Sequence, residues 1–191
     1  LLDKMPGNYD EKFANLRAFI GYMMTHPGKK LNFMGYEFGQ FKEWDYRHEL
    51  DWLLLTYEKH QKLHQFVQDI NRLYKRQSCL WEIDYSWEGF QWINEHDKNH
   101  NCLSYERRNR RKKALIIIIN FSGETLYHYR LGVKKGLYQE LINSDDEKYG
   151  GNNQKNSLMR TEAVACHRSK SSIVLNVPAF SILILNKVGK E

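Results

Sequence analysis

Apolar residues recur at helical spacing in two stretches of the chain and at strand spacing in a third. Phe13, Leu16, Ile20, Met23 and Met24 fall on one face of a helix. Asn8 with Glu11 three residues later has the spacing of a capping box, which predicts a start near Tyr9. His26-Pro27-Gly28 predicts the end, because proline lacks an N–H donor and biases its predecessor towards extended geometry. A second helix is predicted from about Thr56. Leu63, Phe66, Val67, Ile70, Leu73 and Tyr74 form its apolar stripe, and Arg72, Lys75 and Arg76 complement the dipole in its last turn. Between the helices a short apolar run, 31–34, stops at Gly35 and is followed by Tyr36, Glu37, Phe38, Gly39 and Gln40. A buried parallel strand hands polar groups to a ligand site in this manner, so 31–35 is predicted as a strand. Residues 41–55 mix aromatic and charged side chains without a period and predict an irregular loop packed by its own side chains.

Near residue 77 the period changes to two. Segments 90–94, 101–106 and 126–133 alternate, 114–121 is continuously apolar, and 137–142, 172–177 and 180–185 complete about seven short strands. An antiparallel sandwich is expected. The stretch 144–157, centred on Gly150-Gly151-Asn152-Asn153, reads as a long mobile loop. The helix–strand–helix unit before residue 78 is incomplete by itself, since a lone parallel strand leaves its backbone donors and acceptors unpaired. It fits the last repeat of a (β/α)8 barrel of the TIM type whose other strands lie outside this chain. The expected organisation is therefore a barrel end over 1–78 and an all-β sandwich domain over 79–191.

Composition narrows the function classes. The 191 residues are 41% hydrophobic and 14% aromatic, enough for one good core or two small ones. No eighteen-residue apolar run exists, nor a basic segment leading into an apolar one, so a soluble, cytoplasmic protein without membrane partners is expected. Cys79, Cys102 and Cys166 are odd in number and widely spaced, which argues against a disulfide framework and a zinc site. The net charge of +6 is concentrated in Arg107, Arg108, Arg110, Arg111, Lys112 and Lys113. That run falls between two predicted strands, where a hairpin tip is solvated, so a turn is expected there and not a nucleic-acid site. His60 and His64 are spaced i, i+4, but Gln61 stands where a zinc-protease helix needs glutamate, and both are read as surface histidines.

Several segments carry a family resemblance. Leu-Asp-Lys-Met-Pro-Gly (2–7), Lys-Phe-Ala-Asn-Leu-Arg (12–17), Pro-Gly-Lys-Lys-Leu-Asn-Phe-Met-Gly-Tyr-Glu-Phe-Gly-Gln (27–40), Glu-Trp (43–44), Leu-Asp-Trp (50–52), Asn-Ser-Asp (143–145) and Tyr-Gly-Gly (149–151) resemble the bacterial 1,4-α-glucan (glycogen) branching enzymes of the α-amylase superfamily. The resemblance implies that 31–35 is the eighth barrel strand and that the C-terminal part is the all-β domain that follows the barrel. It also implies that the nucleophilic aspartate, the acid/base glutamate and the transition-state-stabilising aspartate lie on earlier strands, outside this chain. Retaining chemistry on a glucan requires two carboxylates about 5 Å apart, and only Glu37 is offered at a strand end, so this piece is expected to be inactive alone. No cofactor or metal is implied.

Six residues are candidate glucan contacts. Glu37 either lines the site or pairs with an arginine, and Tyr36 stands where the family has a polar residue, a possible stacking surface. Trp44, Asp51 and Trp52 are candidate rim residues: an indole offers sugar C–H faces a stacking surface and a carboxylate accepts from hydroxyls, while the alternative is that both tryptophans pack the loop. Trp92, in Phe90-Gln91-Trp92-Ile93, resembles a family tryptophan implicated in glucan binding on the C-terminal domain, with inward packing the alternative. The reading is the C-terminal portion of a branching enzyme, with α-glucan and the rest of the barrel as partners. A stand-alone glucan-binding module is the runner-up, and a basic interaction domain using 107–113 is a third.

Overall fold

The computed structural model describes residues 1–189. Helix α1 spans Tyr9–Thr25 and carries the full capping box: Asn8 Oδ1 accepts from the N–H groups of Asp10 and Glu11, and Glu11 accepts from the Asn8 N–H. Helix α2 spans Glu58–Arg76, with Lys75 and Arg76 in its last turn. Strands β1 (Phe90–Asp97), β2 (Cys102–Arg108), β3 (Ala114–Asn120), β8 (Ser181–Gly189), β5 (Leu137–Asn143) and β6 (Met159–Arg160) form one antiparallel sheet in that order. Strands β4 (Leu126–Gly132) and β7 (Ser172–Val177) form a separate two-stranded ribbon. All seven strands expected from the sequence are present, and the two-residue β6 is added to them.

The sheet is covered on both faces, and that explains its two continuous apolar runs. Ile117, Ile119, Ile182 and Ile184 pack with Leu16, Ile20 and Met24 of α1 and Leu63, Phe66 and Ile70 of α2. The alternate residues Ile116, Ile118, Leu183 and Leu185 pack with Leu131 of β4 and Ile173 and Leu175 of β7. Opposite parities of β3 and β8 therefore fill two different cores, the condition under which a strand loses its alternation. The approach of α1 to β8 depends on Gly21, where a Cβ would lie 2.5 Å from Ile182 Cγ2.

Three expectations are corrected. Residues 31–35 form no strand: 31–33 have no regular structure, Gly35 turns with φ 82°, and Tyr36–Phe38 is a 3-10 turn. Backbone pairing makes a strand, and no neighbouring strand among the described residues pairs with this segment. The expected barrel end is thus represented only by two helices and an irregular connection. The loop over 144–157 is tied down. Asp145 accepts from the N–H groups of Asn152, Asn153 and Gln154, Asn143 donates to Gln154 O, and Tyr149 is buried with its hydroxyl donated to Asp69 at 2.8 Å. Its glycines serve close approach: a Cβ on Gly151 would sit 2.3 Å from the Asp145 backbone. His60 is not at the surface. It is buried, with Nδ1 2.7 Å from Phe38 O and Nε2 3.3 Å from the Tyr9 hydroxyl.

Candidate functional site

The predicted site residues fall in two places. Tyr36, Glu37, Trp44, Asp51 and Trp52 share the irregular segment between α1 and α2. Glu37 accepts from Asn32 Nδ2 at 3.0 Å and makes no ion pair with an arginine among the described residues. Trp44 is 72% exposed, held at φ 60°, with its ring 4.9 Å from Phe33, which also meets Tyr36 edge-on at 6.2 Å. The Asp51 N–H donates to Gln40 Oε1, and the half-exposed Trp52 lies 5.4 Å from the buried Phe38. Neither tryptophan is consumed by packing. Leu31, Tyr46, Leu53 and Tyr57 are exposed as well, so an apolar lip runs along this segment of the chain, in which Trp44 and Tyr46 line one shallow depression.

Trp92 belongs to a different site. Its ring packs edge-on against Phe90 at 4.9 Å and Tyr105 at 5.6 Å, so the inward alternative holds for part of the side chain. The remainder lines a cleft of about 340 Å³ with His26, Asp84, Ser86, Phe90 and Trp87. Trp87 is 82% exposed and Tyr85, on the same cleft, is 79% exposed. These are the more open ring faces, and sequence reasoning passed over Tyr85 because it sits in no periodic element.

The connection that lines this cleft is anchored by Arg107, which corrects the assignment of that residue to a solvated turn. Arg110, Arg111, Lys112 and Lys113 are exposed on the β2–β3 connection, but Arg107 is fully buried. Its NH2 donates to Asp84 Oδ1 at 2.8 Å and to Leu80 O at 3.0 Å, NH1 to Thr25 O at 2.5 Å, and Nε to Gly89 O at 3.3 Å. Asp84 Oδ2 accepts from the Gly28 N–H at 3.1 Å. One guanidinium thereby ties the end of α1 to both ends of the 80–89 connection that carries Tyr85 and Trp87. The missed signal was parity: Arg107 lies two residues beyond the buried Tyr105, and β2 runs on to Arg108.

Chemically, this cleft presents stacking faces and a single carboxylate, which suits binding and not acid/base chemistry on a glycosidic bond. Among the described residues no group of three or more His, Cys, Asp or Glu side chains is placed to hold a metal ion. No helix of the described residues is long and apolar enough to cross a membrane.

Titration of four half-buried groups predicts the acid response. His26 and His167 are held below the ordinary 6.5, by burial above all. Burial alone raises Asp69 and Asp97, but Tyr149, Lys148 and Arg72 around the first, and Tyr129 and His100 around the second, hold both below 3.8. All four folded values lie under the unfolded ones, so their stabilisation is present above the unfolded pKa and is lost as pH falls through the folded one. The melting midpoint should therefore decline once pH drops below 6.5, and again below 3.8. Circular-dichroism melts across this range check it, and Asp69→Asn should shrink the second decline only.

Comparison with known proteins places the chain. Residues 92–188 match the family described as alpha amylase, C-terminal all-beta domain. The chain is 45% identical over 193 residues to the 1,4-alpha-glucan branching enzyme GlgB of Halothermothrix orenii, covering 100% of this chain and 31% of that protein. It is 44% identical to the GlgB of Aquifex aeolicus, over 99% of this chain and 30% of that protein. It thus spans about a third of the length of the curated relatives it matches. Among solved structures, Ttha1563 from Thermus thermophilus superposes with a TM-score of 0.65 at 14% identity, covering 94% of this chain and 32% of that one. The Nostoc punctiforme debranching enzyme superposes at 0.58 with 17% identity, again over 94% and 32%, so both show the shared fold alone. The sandwich is the part matched by the family model, and the chain belongs to the alpha amylase, C-terminal all-beta domain family.

Proposed function

We propose that this chain is the C-terminal portion of a bacterial, cytoplasmic 1,4-α-glucan branching enzyme. The whole protein would cleave an α-1,4 linkage and transfer the released chain to form an α-1,6 branch in glycogen. The observation that carries the reading is the exposed aromatic lip over 41–57, joined to 45% identity with a branching enzyme through the full chain. On this reading residues 1–78 close the barrel, 79–191 form the C-terminal all-β domain, and 31–35 pair as a strand only against barrel neighbours supplied by the rest of the protein. Tyr36, Glu37, Trp44, Asp51 and Trp52 then rim the barrel mouth, and Trp92 contacts a distant part of the glucan.

Transfer with retention proceeds by attack of one carboxylate on the anomeric carbon while a second, about 5 Å away, protonates the leaving oxygen. A new hydroxyl then attacks the glycosyl-enzyme, with the second carboxylate now acting as base. Asp84 is the one carboxylate among the lining residues of the Trp92 cleft, and Glu37 is hydrogen-bonded to the amide of Asn32. The chain alone is therefore expected to leave the iodine absorbance of amylose unchanged, whereas supplementing it with a separately produced barrel portion from the same protein should shift it. A shift produced by the chain alone overturns the division of labour.

The cleft at Trp92 favours a second reading, a glucan-binding module that acts without the barrel. In native gels containing glycogen, the chain should be retarded, and Trp92→Ala and Trp87→Ala should each reduce the retardation several-fold, since loss of a stacking aromatic removes both burial and ring-specific contact. Unchanged mobility of both variants removes the cleft as a site.

A further inference from the structure

A cluster of basic side chains surrounds the β2–β3 turn. Glu106, which opposes Ile116 in the β2–β3 ladder, shares the parity of Ile116 and Ile118, whose side chains pack towards β4 and β7. Two adjoining clefts open on that side, of about 490 and 520 Å³, and Lys112 and Lys134 line both. Around the pair stand Arg108, Arg110, Lys112, Lys113, Lys134 and Lys187, against the carboxylates of Glu88 and Glu106 in the lining and of Glu82, which accepts from the Arg110 N–H, a local excess of three among the described residues. Glu106 is committed to Arg108 and Lys134, at 2.5 and 3.5 Å. Arg110, Lys112, Lys113 and Lys187 enter no ion pair among the described residues. Lys112 occupies the left-handed position of the β2–β3 turn, φ 60°, where glycine sits without strain, so the turn holds a cation where an uncharged residue fits more easily.

We propose that this trench is a docking surface for an acidic polypeptide segment, one that alternates carboxylates with single apolar side chains. The cations supply the charge complementarity. The partly open Ala114 and the exposed Val188 give single apolar side chains a seat between the flanking lysines. Single-stranded nucleic acid fits less well, because bases need open aromatic platforms and the only ring in either cleft, Tyr138, is 3% exposed. Lysine predominates over arginine at the open positions, which favours a chain of separated point charges over bidentate capture of one phosphate. The two clefts share no lining residue with the Trp92 cleft and include none of residues 31–57, so the inference is independent of the function proposed above.

The test uses the 191-residue chain and a fluorescein-labelled peptide of repeated Glu-Glu-Leu, followed by anisotropy in about 20 mM NaCl, where screening is weak. Binding is expected to weaken steeply as salt rises. Lys112→Glu with Lys134→Glu, both exposed positions, should weaken it at least about tenfold. The control, Arg47→Glu with Lys75→Glu, makes the same change in net charge at exposed positions outside the trench and should leave binding within about twofold. Absence of peptide binding, equal loss in the control, or tighter binding of a single-stranded oligonucleotide than of the peptide each overturns the proposal.

Discussion

Arg107→Ala should lower the stability of the chain by about 3–5 kcal/mol, because it removes one partner of a buried ion pair and leaves the other without its counter-charge. Truncation leaves the Asp84 carboxylate with the Gly28 N–H as its remaining hydrogen bond and only the more distant charge of Lys30, and it orphans the carbonyls of Thr25, Leu80 and Gly89 together. In a domain of this size the loss corresponds to a fall of roughly 6–20 °C in melting midpoint. Arg108→Ala is the control. Arg108 is only half-buried and its pairing with Glu106 is partly solvated, so the change is expected to cost about 1 kcal/mol or less. If Arg107 and Asp84 act as one unit, Arg107→Ala combined with Asp84→Ala should fall short of the sum of the two single changes. Additive losses would show that the guanidinium works through its carbonyl contacts and not through the carboxylate. The same variants should blunt glycogen retardation, since the 80–89 connection that bears Tyr85 and Trp87 is anchored at this point.

Arg107 also marks where the sequence stops being readable. A run of six basic residues in a seven-residue window looks uniform, yet strand parity separates its first member from the rest: Tyr105 and Arg107 point into the helix-facing side, and the turn begins only after Arg108. Ending the strand two residues early hid that. His60 follows the same logic on a helix. It stands three residues before Leu63 and seven before Val67, at the head of the buried stripe, so its burial was implicit in the helical period. The elements that were legible are those whose signals are local. The Asn8–Glu11 box and His26-Pro27-Gly28 delimit α1, and the apolar runs of β3 and β8 announce strands covered on both faces. Residues 31–35 are the contrary case. Their pattern is that of a strand, but a strand exists only through its neighbours, and none is supplied within the described residues. The candidate site divides in the same way. Exposure of Trp44 and Trp52 on an irregular loop was foreseeable from composition, whereas the Tyr85–Trp87–Trp92 cleft arises from a tertiary contact between the end of α1 and β1 that no window of sequence contains.

Phe66→Ala should be comparably damaging, about 3–5 kcal/mol, and it asks a different question. The ring is fully buried on α2, meets Tyr149 edge-on at 5.2 Å, and shares a core with Leu16 of α1, Ile117 of β3 and Ile184 of β8. A cavity there is felt by both helices, by the sheet and by the 144–157 loop at once. The helices and the sheet have no separate interiors on this side: the layer that α1 and α2 bury is the layer that β3 and β8 bury. Unfolding of the parent chain and of Phe66→Ala should accordingly follow one transition when read by far-ultraviolet circular dichroism for the helices and, in a Trp44→Phe, Trp52→Phe background, by the fluorescence of the remaining tryptophans, all of which lie beyond residue 78. Two resolved transitions, with only the helical one shifted, would mean that the segment up to residue 78 melts independently of the sandwich. A single shifted transition means that the segment up to residue 78 is held in place by the all-β domain, with the α1–β8 contact at Gly21 and Ile182 as part of the shared core.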